Sequence, residues 1–132
     1  VYGNGTQTRG FLNIRDTLRC VEIATLNPAE RGEFRVFNQF TEQFSVLDLA
    51  ERVKSVAESR GYSGTQIDHV PNPRIEQEDH YYNARHSALE ALGLEPNLLN
   101  EDVISHMIDA AERYQDRIND DIVTPTIKWN QQ

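Results

Sequence analysis

The sequence predicts an α/β fold, a small sheet with about four helices, and three observations predict it. Short runs of β-type residues, at Val1-Tyr2, Phe34 to Asn38 and Gln66 to Val70, alternate with longer runs of helical period. Helix start signals stand in front of two of the longer runs, Ser45 with Asp48 three residues on and Asn100 before Val103. Breakers close the helical runs at Asn27-Pro28, Gly61 and Gly93.

Taken in order, Val1-Tyr2 reads as the end of a buried strand that breaks into a glycine-rich loop and throws out one arginine, Arg9. Phe11 to Ile14 reads as a short strand or extended piece, and Asp16 opens a helix with Leu18, Val21 and Ala24 or Thr25 on its apolar face. Ala29 to Glu33 is a polar turn, Phe34 to Asn38 alternates as a strand with aromatics on one face, and Gln39 to Phe44 is a loop. Ser45 then caps a helix whose apolar face runs through Val46, Leu49, Ala50, Val53 and Val56.

After the strand at Gln66 to Val70, Pro71-Asn72-Pro73 imposes an extended course on the segment Arg74 to Asn83. That segment is dense in polar and aromatic groups, as surface loops and binding loops are. Ala84 to Leu92 reads as a short helix, and Asn100 caps a long one through Val103, Met107, Ile108, Ala111, Tyr114 and Ile118. The polar tail 119–132 is expected to pack back by Trp129.

The chain has 132 residues, one domain's worth, and because it opens in mid-strand on Val1 it reads as a fragment. No apolar run approaches the ~20 residues of a membrane span. A net charge of −8 argues against a nucleic-acid surface, which needs clustered Lys and Arg, although a small anion needs only two or three local arginines. The single Cys20 excludes an intramolecular disulfide, suggests a reducing compartment and reads as a small buried hydrophobe. In that setting the acceptor Asn4-Gly5-Thr6 is a chance match. His69, His80, His86 and His106 share no metal-ligand spacing, so no metal is expected.

A glycine-rich loop beside an arginine can present backbone N–H groups and a guanidinium fork to a phosphate, and a plain turn with a solvated arginine has the same residues. The pattern V-Y-G-x-G-x-Q-T-R-G-F-L, followed by a helix, resembles the substrate-lobe segment of the extended short-chain dehydrogenase/reductases that act on nucleotide sugars. The resemblance implies that Val1 and Tyr2 hold the uracil end of a UDP-sugar and that Arg9 grips the diphosphate, with Gln7 in the same substrate-binding piece. Pro73-Arg74 with Glu76 resembles a second clamp, arginine to phosphate and acid to ribose hydroxyls. The family commonly spaces that acid one residue further on, which leaves Glu78 and Asp79 as alternatives.

The longer strings Q-T-R-G-F-L-N-I-R-D-T, G-E-F-R-V-F-N-Q-F-T-E-Q-F-S-V, V-P-N-P-R-I-E and E-D-H-Y-Y-N-A resemble one sulfolipid-forming branch of that family, which joins UDP-glucose and sulfite using bound NAD. In that reaction NAD transiently oxidises the glucose ring, water leaves the C5–C6 region, sulfite adds and hydride returns. No glycine fingerprint follows a strand here, and no tyrosine has a lysine four residues later. By resemblance, then, NAD and the catalytic base belong to an N-terminal Rossmann part outside 1–132, and this chain is the C-terminal substrate-binding part, inactive alone. The same resemblance implies a homodimer in the full-length enzyme, in the cytoplasm of a bacterium or cyanobacterium or in a plastid stroma. Another NAD-dependent epimerase/dehydratase and a non-catalytic sugar-nucleotide-binding or interaction module are the other readings.

Overall fold

The computed structural model describes residues 1–72 and 86–122. In chain order these form β1 (Thr8–Phe11), α1 (Ile14–Leu26), β2 (Glu42–Ser45), α2 (Val46–Ser59), α3 (Ala88–Ala91) and α4 (Glu101–Arg113), followed by two single 3-10 turns. The described residues therefore hold four helices and one two-stranded sheet, an α/β arrangement as expected. They divide into two compact units, one of residues 1–7, 45–72 and 100–122, the other of residues 8–44 and 86–99.

In the first unit, α2 begins where its sequence signature stands. The Ser45 hydroxyl accepts from the Asp48 N–H at 3.0 Å, and the Asp48 carboxylate accepts from the Ser45 N–H at 3.1 Å, so two of the donors a helix start leaves open are satisfied reciprocally. Those bonds to Ser45 hold the Asp48 carboxyl below its ordinary range. The helix ends beside Gly61, whose φ of +94° is open to glycine and costly for other residues. Helix α4 starts on the Asn100 side chain, which accepts from Val103 N–H at 2.9 Å. Packing of α4 on α2 buries Val56, Ala57 and Ile104, and the Arg60 guanidinium crosses over to the Ser105 carbonyl at 2.6 Å and to the Asp109 carboxylate. That hydrogen bond from Arg60 lowers the Asp109 carboxyl.

In the second unit, the core is Cys20, Ile23, Leu89 and Leu94, with Leu12, Phe37 and Leu92 packed around it. The expected apolar face of α1 is corrected here. Leu18 and Val21 are 70% and 57% exposed, and the covered face is Asp16, Cys20 and Ile23, a second stripe of helical spacing at i, i+4, i+7. α3 and the chain after it lie on that side, and contact with Leu89 and Leu94 decides which of two helical stripes turns inward. The helix also starts two residues earlier than expected, capped by Asn13, whose side chain accepts from Arg15 N–H at 3.0 Å.

Two strands move as well. β2 forms inside the stretch read as a loop, because Thr41 N–H reaches the Phe11 carbonyl at 3.0 Å and Val46 N–H the Gln7 carbonyl at 3.3 Å, a descending register against β1 that makes the pair antiparallel. Residues 34–38, expected as a strand, have no ladder partner among the described residues, and Phe34 and Val36 are 89% and 68% exposed. Of the strand expected over Gln66 to Val70, only Val70 pairs, in an isolated bridge with Tyr2. Helix α4 stops at Arg113, and Met107, Tyr114 and Ile118 of its expected apolar face are exposed. Helix α3 is confined to four residues within the expected span, and residues 84 and 85 of that span lie outside the described residues, as does Trp129.

Candidate functional site

The glycine-rich segment 1–7 is pinned on two sides within its unit. On one side Gly3 N–H donates to the Val70 carbonyl at 2.9 Å and Val70 N–H to the Val1 carbonyl at 2.8 Å, which brackets Tyr2 in a parallel bridge. His69 Nδ1 adds a hydrogen bond to the Gly3 carbonyl at 2.8 Å, and since a carbonyl only accepts, Nδ1 carries the proton. On the other side Leu47 N–H, in the first turn of α2, donates to the Gly5 carbonyl at 2.9 Å.

Gly5 is buried and glycine is required there twice over. Its φ is +73°, and a Cβ would stand 2.7 Å from Val1 Cγ1 and 3.2 Å from Leu47 Cβ. The segment is thus a packed element with the carbonyls of Val1, Gly3, Gly5 and Gln7 each met by a donor from this unit, while the side chains of Asn4 and Thr6 stay exposed.

Val1, Tyr2 and Gln7 come together in this element. Tyr2 is half-buried, and Gln7 is 7% exposed, its amide Nε2 directed to the Tyr2 carbonyl at 3.4 Å. Arg9 stands on β1 in the other unit, exposed, with Nη1 donating to the Thr8 carbonyl at 3.0 Å. Arg74 and Glu76 lie outside the described residues, and so do the alternatives Glu78 and Asp79.

The second unit holds a polar feature that sequence reading passed over. Asp16 is 1% exposed, and its two oxygens accept from the Asn97 backbone N–H at 2.8 Å and the Asn97 side-chain amide at 2.5 Å. An open depression of ≈ 380 Å³ lies there, lined by Asp16, Arg19, Gly93, Glu95 and Asn97. The two partners stand 81 residues apart in sequence, so no local pattern marks the pair. The Glu42 carboxylate accepts from Leu99 N–H at 2.6 Å. Cys20 is fully buried, and burial, with the Asp16 carboxylate nearby, pushes its thiol up, the condition of an inert thiol. Among the described residues no group of three or more His, Cys, Asp or Glu could hold a metal ion, and no helix is long and apolar enough to cross a membrane.

No protein-family model matches the chain. Comparison with curated proteins gives a close match to the chloroplastic UDP-sulfoquinovose synthase of Spinacia oleracea, 52% identical over 129 residues. The chain resembles UDP-sulfoquinovose synthases along nearly its whole length. The UDP-sulfoquinovose synthase of Sulfolobus acidocaldarius is 37% identical over 131 residues, and each alignment takes in 98% of this chain. The chain spans only 27% of the first synthase and 33% of the second.

Proposed function

We propose that this chain supplies the UDP-binding end of the UDP-glucose site in a UDP-sulfoquinovose synthase, the enzyme that joins UDP-glucose and sulfite with bound NAD in sulfolipid synthesis. The match to two such synthases over 98% of the chain carries the reading. The packed segment 1–7 supports it, since a rigid glycine loop holds an aromatic ring and a backbone surface ready for a planar base without an ordering cost at binding. In this reading Val1 and Tyr2 meet the uracil, Arg9 and Arg74 fork onto the diphosphate, and Glu76 takes the ribose hydroxyls, with Glu78 and Asp79 as the alternatives.

The residues of this chain do not fit NAD. The glycines of segment 1–7 lie in a packed turn rather than in a fingerprint opening a helix, and none of the chain's tyrosines is followed four residues later by lysine. NAD and the catalytic base therefore fall to the part of the protein that the longer synthases have beyond this match, and the chain by itself is inactive. A homodimer of the full-length protein, in a plastid stroma or a bacterial cytoplasm, belongs to the same proposal.

The test is binding in the full-length protein. Losing a hydrogen bond to a charged group costs about 1.5–3 kcal/mol, so Arg9→Ala or Arg74→Ala should weaken UDP-glucose roughly ten- to a hundredfold. Lysine at either position should restore part of the loss, because an ammonium cannot make the bidentate fork. Calorimetry should find both arginine variants poor for UDP and near normal for uridine, and Tyr2→Ala weak for both. Wild-type UDP affinity in the arginine variants removes the clamp. Product analysis with UDP-glucose and sulfite should yield a sulfonated sugar nucleotide, and UDP-galactose alone would turn the reading toward an epimerase.

A further inference from the structure

We propose that Gln7 is a positioning residue for the base end of the site, acting through the Tyr2 carbonyl rather than by touching the ligand; the inference rests on the reading that Tyr2 meets the base. Gln7 is 7% exposed, so a ligand in the solvent-facing part of the loop does not reach its amide. Its Nε2 donates to the Tyr2 carbonyl at 3.4 Å, across five residues of chain. The N–H of that same Tyr2–Gly3 peptide unit donates to the Val70 carbonyl at 2.9 Å. The peptide is therefore gripped at both ends, by the backbone on one side and by Gln7 on the other. Flanked by glycine, such a peptide unit is the easiest to rotate, and its rotation would swing the Tyr2 ring.

The other amide atom shows why this is more than packing. Gln7 Oε1 is buried and has no hydrogen-bond partner among the described residues. A buried acceptor left without a donor destabilises the fold, so a side chain kept for stability alone would do better as an apolar group of the same shape. What glutamine adds over methionine here is the donor to Tyr2. The carbonyls of Val1, Gly5 and Gln7 are met by backbone N–H groups and that of Gly3 by His69, whereas the Tyr2 carbonyl accepts from the side chain of residue 7.

Two near-isosteric variants of the full-length protein separate the possibilities, with thermal melting and calorimetric titration of uridine and UDP as readouts. Gln7→Met removes donor and acceptor, and Gln7→Glu keeps only the acceptor. Gln7→Met should melt no lower than wild type and lose affinity for uridine and for UDP by the same factor, roughly five- to tenfold for one neutral hydrogen bond that orders the binding group. Gln7→Glu should bind both no better than Gln7→Met. Wild-type affinity in Gln7→Met overturns the proposal, as does a melting temperature that falls together with binding, the mark of a packing role. Wild-type affinity in Gln7→Glu beside weak Gln7→Met overturns it too, because the acceptor would then be the working atom. Failure of the underlying reading shows separately, as Tyr2→Ala binding uridine like wild type.

Discussion

Residues 1–7 and residues 34–38 both have the composition of extended chain, and their fates differ. The first segment breaks its β pattern with glycines yet is held at Val1, Gly3, Gly5 and Gln7 by hydrogen bonds from Val70, His69, Leu47 and Val46. The second keeps an unbroken alternation, which even shows in its burial, with Phe34 and Val36 exposed and Arg35 and Phe37 half-covered, and it has no ladder partner among the described residues. Alternation reports which side chains would face together; a strand needs backbone partners as well. Partners come from elsewhere in the chain, and a regular pattern does not summon them.

The largest effect that should sharpen this contrast is at Gly5. Gly5→Ala forces a Cβ into Val1 and Leu47 at a left-handed φ, and strain plus overpacking should cost about 2–4 kcal/mol, read as a fall in thermal midpoint. Gly61→Ala, at φ +94° with open space around it, should cost only the conformational strain of about 1–2 kcal/mol. Equal losses at the two sites would mean that the packing of segment 1–7 contributes nothing.

A smaller loss is expected at the helix that holds the segment. Ser45→Ala removes the cap of α2 and should cost about 1 kcal/mol, with faster amide exchange at Leu47, whose N–H holds Gly5. The same cap predicts a weaker pH effect. Asp48 is depressed in the folded chain, so its contribution is complete above the ordinary carboxylate range and is lost as pH falls through its lowered value. The midpoint should therefore drop on acidification, and Asp48→Asn should flatten that part of the profile.

The smallest effect belongs to the other segment. Phe34→Ser in this chain should change stability by less than about 0.5 kcal/mol, since the ring is 89% exposed and leaves no cavity. A loss of several times that size would show that something covers residues 34–38 and would break the contrast.

What the sequence determined by itself was local. The α/β class with about four helices, the start of α2 at Ser45, the Asn100 cap and the ends at Gly61 and Gly93 all rest on groups within a few residues of one another, and the structure has each of them. Tertiary structure decided what depends on distant partners. Two stripes of α1 have helical period, and Leu89 and Leu94 select Cys20 and Ile23 over Leu18 and Val21. β2 arises where residues read as loop meet β1, and Asp16 is buried because Asn97, 81 residues away, supplies two donors. At the site, the type of loop was legible in its glycines, whereas the inward turn of Gln7 toward Tyr2 was not. A polar side chain near a glycine loop is equally compatible with ligand and with backbone, and only the folded chain shows which acceptor lies within reach.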